Sequence, residues 1–247
     1  YYIYIYMRSK RKLYKGGDGT PYLIIVAGPT ASGKGSLPDK VINQLKLNKN
    51  PRESILIDDL VEANPYYRKK VSEFIDKKRG EGLRNEGIIK LFMSPTDDLL
   101  EEFKDYYFDS RKRTDCLDGA ELANPKEEKG RDCDSINNNK LTKAFNNGEN
   151  IVFETTGASE ISFNWIFKAH SDNIIKYNYD IIIAWTIVDL CELILRNKTR
   201  AHESIKKFLD NRKTAAPPRL PDIRIDPYTA NLKNIINSFI KINLKNN

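Results

Sequence analysis

The 247-residue chain has room for one α/β domain with a full core, or at most two small ones. Its formal net charge of +7 favours anionic ligands without separating nucleotides from nucleic acid. Cys116, Cys133 and Cys191 show no C-x-x-C spacing and the only histidines are His170 and His202, which excludes a local structural zinc motif and reads most simply as thiols in a reducing, cytoplasmic setting.

The opening run Tyr1 to Met7 is apolar but far shorter than the roughly 20 residues a membrane span needs. It also precedes the basic cluster Arg8 to Lys12 instead of following it, so neither a signal peptide nor an anchor is expected. A first residue Tyr in place of Met suggests a fragment, with Met7 a candidate start. Residues 1–20 read as an N-terminal tail, glycine-rich from Lys15 to Thr20, whose Tyr/Ile alternation equally suits a short edge strand. The remaining 21–247 is expected to form the domain.

Tyr22-Leu23-Ile24-Ile25-Val26-Ala27 predicts a buried strand, and Leu37 to Leu47 has helical spacing. Between them lies Gly28-Pro29-Thr30-Ala31-Ser32-Gly33-Lys34-Gly35-Ser36. Strand, glycine-rich loop, helix is the setting in which G-x-x-x-x-G-K cradles phosphate. Glycines let backbone N–H groups turn onto phosphate oxygens, the lysine reaches the β and γ phosphates, and the helix dipole favours the same anion. The hydroxyl that ordinarily follows the lysine and ligates Mg²⁺ is displaced by Gly35 to Ser36. A Gly-Lys-Gly-Ser ending resembles nucleoside monophosphate kinases.

Ser54-Ile55-Leu56-Ile57 reads as a short strand ending at Asp58-Asp59. Val61 to Arg79 is helical with a break at Pro65, Leu83 to Phe92 is a further helix, and Pro95 with Asp97-Asp98 opens another. From 105 to 134 the chain is dense in charge and poor in aliphatics, as in a surface insertion or a cap over the site. Asn137 to Phe145 reads as a helix closed by Asn146-Asn147-Gly148. Asn150-Ile151-Val152-Phe153 reads as a buried strand ending at Glu154-Thr155-Thr156-Gly157. Ile161 to His170 is helical, Tyr179 to Val188 a strand, and Leu190 to Phe208 a basic helix. After the break at Pro217-Pro218, a closing helix from about Tyr228 puts Leu232, Ile235, Ile236, Phe239 and Ile240 on one face. Strands alternating with helices predict an α/β, three-layer fold with a mainly parallel sheet and a helical, charged insertion.

Three polar clusters are therefore expected at one sheet edge, where open α/β folds bind ligands. Phosphoryl transfer needs a phosphate cradle, a metal, a base for the acceptor and cations for the transferring group. Asp58 is the candidate base, with Asp59 a close rival and a helix cap the structural alternative. Glu154 suits either holding the acceptor or orienting water on the metal, or again a helix cap. Late cations at Arg196, Lys198, Arg200, Arg212 and Arg219 would meet the γ-phosphate if carried on a mobile lid, and would only be solvated on a rigid surface helix.

With these residues in view, the chain resembles the zeta-toxin group of P-loop kinases, over most of residues 21 to 245 outside the charged insertion. In that group the second strand ends in an aspartate followed seven residues later by proline, as Asp58 and Pro65 do here. The resemblance implies a kinase-type P-loop NTPase fold and ATP with Mg²⁺ as cofactors, the loop Gly28 to Ser36 holding nucleotide and Ser36 the metal. It further implies Asp58 as base, Glu154 and Thr156 as substrate contacts, and lid arginines at Arg196 or Arg200 and at Arg212; Asp59 is a candidate substrate contact by its place beside Asp58. The implied activity is transfer of the ATP γ-phosphate to a hydroxyl of a small molecule such as a UDP-sugar. Ala158 and Val61 stand where members often carry basic residues, which weighs against the UDP-sugar alone. The loop also resembles the G-P-T-A-S-G-K opening of tRNA isopentenyltransferases, whose next block is missing after Ile57. The alternatives are a nucleoside or nucleotide kinase and, in another class, a nucleic-acid-dependent ATPase or RNA-modifying protein. No strand ending in Asp-Glu and no aromatic-interleaved basic helix supports that last class, so neither nucleic acid nor membrane is an expected partner. A protein inhibitor is not readable from one chain.

Overall fold

The apolar runs of the sequence form a five-stranded sheet in the order β1-β5-β2-β4-β3. In this computed structural model the strands are β1 (Tyr2–Tyr6), β2 (Tyr22–Ala27), β3 (Arg52–Ile55), β4 (Asn150–Thr155) and β5 (Asp180–Thr186). The structure describes residues 2–6, 20–47, 52–114, 116, 132–157, 161–186, 188–220, 233–234 and 236–237. The chain divides into two compact units, 1–55 with 139–193 and 224–247, and 56–138 with 194–223.

The first unit holds the sheet. β2 runs parallel to both β4 and β5, β3 parallel to β4, and β1 closes the β5 edge antiparallel, with Tyr4 opposite Ala184. The Tyr/Ile alternation is thus used as an edge strand. All six residues of β2 are buried, which is why it reads as an unbroken apolar run instead of an alternating one. Its period of two still sorts the faces. Tyr22, Ile24 and Val26 pack with Leu37, Val41 and Ile42 of α1 (Leu37–Leu45). Leu23, Ile25 and Ala27 pack with Leu141, Ala144 and Phe145 of α6 (Cys133–Asn147) and with Phe163 and Ile166 of α7 (Ile161–Ala169), which the short α8 (Ser171–Tyr177) follows. Helices on both faces give the expected three-layer α/β fold with a mainly parallel sheet.

The second unit is helical: α2 (Ile57–Ala63), α3 (Pro65–Gly80), α4 (Asn85–Met93), α5 (Asp97–Lys112), the start of α6 and most of α9 (Leu190–Asp210). Asn64 accepts from the Tyr66 amide and, with Pro65 at the first helical position, starts α3. Thr96 does the same for α5 through the Leu99 amide. Phe74, Phe92 and Phe103 meet edge to face at centroid distances of 5.2 to 6.2 Å, the geometry that aromatic quadrupoles favour.

Two expectations change, and a third falls mostly outside the described residues. α5 continues through Lys112 with Ser110 buried, so the first part of the 105–134 stretch is packed helix; residues 117–131 lie outside the described residues. Cys116 and Cys133, 17 apart, form a disulfide with Cα atoms 5.3 Å apart. That removes the argument for a reducing compartment and leaves Cys191 as the free, exposed thiol. Most of the closing helix, with Ala158 and the linker, also falls outside the described residues; within it Ile236 is exposed. Among the described residues no helix is long and apolar enough to cross a membrane.

Candidate active site

The loop leaves β2 at Gly28, whose φ is +152°; a Cβ there would lie 2.0 Å from Thr186 Oγ1 and 3.1 Å from both the Thr186 carbonyl and Ser32 Oγ. Only glycine fits this approach of the loop to the end of β5. Ser32 is buried and its hydroxyl bonds that of Thr186. Ala31 (φ +60°) and Gly33 (φ +87°) are left-handed, and left-handed turns let successive N–H groups converge on an anion. Gly33 caps a single 3₁₀ turn, Lys34–Ser36, that leads into α1 with Ser36 as its N-cap. The Ser36 hydroxyl donates to the Gly33 carbonyl at 3.2 Å. Gly35, by contrast, has nothing within 4 Å of an added Cβ, so the residue that displaces the usual hydroxyl is not imposed by local packing.

Lys34 Nζ donates to the Gly28 carbonyl at 2.9 Å and the Thr155 carbonyl at 3.4 Å, and lies 3.4 Å from Glu154 Oε1. The lysine therefore sits across the carboxyl ends of β2 and β4. From β2 the chain runs to β3 and from β4 to β5, on opposite sides of this adjacent pair. That reversal is the switch point at which open α/β sheets leave a binding crevice. Thr155 Oγ1 accepts from the Gly157 amide at 3.2 Å, and a Cβ on Gly157 (φ +68°) would lie 2.9 Å from Ala27 Cβ. Thr156, the expected substrate contact, is exposed. Thr186 escapes a sequence reading because it only ends an apolar run, Ile181 to Trp185.

In the second unit the predicted strand through Ile57 is corrected. β3 stops at Ile55, Leu56 is an extended N-cap, and Asp58 and Asp59 lie in the first turn of α2, where the helix dipole favours carboxylates. They are not at a strand end. Asp58 is held on both oxygens: the Tyr107 hydroxyl donates to Oδ1 at 2.6 Å, and an Arg219 guanidinium nitrogen lies 2.6 Å from Oδ2. Arg219 Nε is 2.7 Å from Glu62 Oε1, and Arg200 lies 3.9 Å from the same oxygen. Burial raises the Glu62 pKa against the opposing pull of Arg219 and Arg200, and burial with the Asp58 charge raises that of Tyr107. Desolvation works against the Arg219 charge, but Asp58 and Glu62 outweigh it and raise its pKa. The Tyr67 hydroxyl donates to the Pro218 carbonyl at 3.0 Å and fixes the segment that carries Arg219.

Asp59 is exposed, as are Arg196 and Arg200 on α9. Arg212 pairs with Asp76 at 2.7 Å, and Arg68 donates to the Arg212 and Ala215 carbonyls. Arg219, also among the late cations, reaches the candidate base. No local pattern marks it, because it follows two prolines in a segment without helical or strand periodicity.

No family model matches the chain, and no curated protein matches it. A solved structure, described as the PezAT chromosomal toxin–antitoxin system of Streptococcus pneumoniae, aligns at 15% identity and a TM-score of 0.43. The alignment covers 90% of this chain and 65% of that one.

Proposed function

We propose that this chain is an ATP-dependent phosphotransferase of the zeta-toxin type, moving the γ-phosphoryl group of ATP to a hydroxyl of a small molecule, with a UDP-sugar as one candidate acceptor. The observation that carries the reading is Lys34, placed across the ends of β2 and β4 by the Gly28 and Thr155 carbonyls and Glu154. Around it is a loop whose first glycine admits no side chain.

These residues suit a nucleotide polyphosphate. The amides of Gly28 to Ser36 would hold the phosphate oxygens, and Lys34 would exchange its carbonyl partners for the β and γ phosphates. The Ser36 hydroxyl is the oxygen available to Mg²⁺ on the loop, with Glu154 to orient metal-bound water. Bound there, Mg²⁺ supplies charge neutralisation on the β and γ oxygens. Asp58 would take the acceptor's proton, and Asp59, Thr156, Arg196, Arg200 and Arg212 are proposed as substrate and phosphate contacts. The Gly35-Ser36 ending favours, as a second reading, a nucleoside or nucleotide acceptor.

The test is ATP consumption by the purified protein against UDP-sugars, nucleosides, nucleoside monophosphates and RNA ends. The proposal expects acceptor-stimulated turnover that Lys34→Ala and Asp58→Asn both abolish. Full activity in Asp58→Asn would remove the base assignment, and RNA stimulation with a steep salt dependence would move the protein to the nucleic-acid class.

A further inference from the structure

Asp58 and Glu62 stand four residues apart on α2, which puts both carboxylates on one face of the helix. Arg219 bridges them with two different edges of one planar guanidinium, 2.6 Å to Asp58 and 2.7 Å to Glu62, and its side chain is only 16% exposed. Tyr107 holds the other Asp58 oxygen. Two such bonds from different directions fix the plane of a carboxylate.

We propose that Arg219 is the positioning residue that aims Asp58 at the acceptor hydroxyl, with Glu62 as the anchor that keeps Arg219 in place through the reaction. This rests on the reading of Asp58 as the base. Phosphoryl transfer passes through a loose transition state in which aiming the nucleophile counts for more than removing its proton early. A carboxylate next to a guanidinium is a weak base, and it suits that task. As the acceptor oxygen bonds to the γ-phosphorus and the bond to the ADP oxygen breaks, the hydroxyl proton passes to Asp58, which becomes neutral. Arg219 would then lose its partner, were it not also paired to Glu62. The second carboxylate keeps the guanidinium compensated in both protonation states of Asp58. The titratable and charged groups around this carboxylate in the second unit include Asp59 and Glu62 from α2, Tyr67 from α3, Tyr107 and Arg111 from α5, Arg200 from α9, and Arg219.

The test uses the full chain with Arg219→Met, Arg219→Gln, Arg219→Lys and Tyr107→Phe, read in two independent ways. Carbon-detected NMR titration of the Asp58 carboxyl needs no activity; removing the guanidinium is expected to move its midpoint up by about one pH unit or more, and Tyr107→Phe by less. In turnover, Arg219→Met is expected to lower kcat by about 30- to 100-fold, the scale of a misaimed reacting group, with KM for ATP within about twofold, and to move the acid limb of the pH profile the same way. Arg219→Lys should recover little, since an ammonium lacks the fork that holds two carboxylates at once. An unchanged Asp58 midpoint in Arg219→Met, or in Arg219→Gln should the first variant not fold, overturns the inference even in a chain with no kinase activity. Absence of acceptor-stimulated turnover in the wild type, with the midpoint shifted as expected, would instead overturn the functional reading and leave the pairing standing.

Discussion

Replacing Gly28 by alanine tests whether the loop has the shape described. The new methyl would sit 2.0 Å from Thr186 Oγ1, far inside van der Waals contact, so the threonine must leave its rotamer at about 0.5–1.5 kcal/mol. The buried Ser32–Thr186 hydrogen bond goes with it, at about 1 kcal/mol. The backbone at φ +152° adds about 1–3 kcal/mol for any residue with a side chain. A total near 4 kcal/mol corresponds to a fall in Tm on the order of 10 °C for a chain of this size. Both tryptophans, Trp165 and Trp185, belong to the first unit, so fluorescence-detected melting reports on the unit that carries the loop. Adding Thr186→Ala should recover the part due to the hydroxyl and leave the backbone cost. Gly35→Ala is the control: with no neighbour within 4 Å it should be neutral or stabilising by up to about 1 kcal/mol. A Gly28→Ala protein melting within about 2 °C of the wild type would refute the loop geometry.

Burial lowers the pKa of His170 from its ordinary 6.5, and its ring stacks on Phe145 at 4.3 Å. The folded state therefore favours the neutral ring, so this contribution is present above about pH 6.5 and is lost as pH falls through the depressed value. His170→Phe should flatten stability between pH 7 and 5, and denaturant melts across that range check it. Phe103→Ala opens the aromatic trio in the second unit and should cost about 3–5 kcal/mol, visible as lost hydrogen-exchange protection in α3 to α5 with Trp fluorescence little changed. Thiol titration of the native protein should find one reactive cysteine per chain, Cys191. Replacing Cys116 and Cys133 together by serine should destabilise the second unit by about 3 kcal/mol, the chain-entropy value for a loop of this length, read by the same exchange measurement.

The sheet was readable because β2 and β4 are buried on both faces and their apolar runs stop at glycine or at polar residues. The loop was readable because its glycines and lysine have fixed spacing. Boundaries were harder: Leu56 and Ile57 continue an apolar run, yet the chain turns into α2 there, with Asp58 and Asp59 favoured in the first turn and Leu60 and Val61 buried on its inner side. Thr186 and Arg219 reach Ser32 and Asp58 from 154 and 161 residues away in sequence, and the Cys116–Cys133 bond likewise depends on tertiary proximity. Periodicity carries no information about such meetings.

A phosphotransferase with Asp58 as base delivers the phosphoryl group to an acceptor and not to water. Phosphorus NMR of ATP, Mg²⁺ and the acceptor that stimulates turnover separates the two directly. The γ resonance is expected to be replaced by that of a new phosphomonoester, and Asp58→Asn to bind ATP normally but form none. Inorganic phosphate as the sole product, released equally fast by the wild type and Asp58→Asn, would contradict transfer with Asp58 as base.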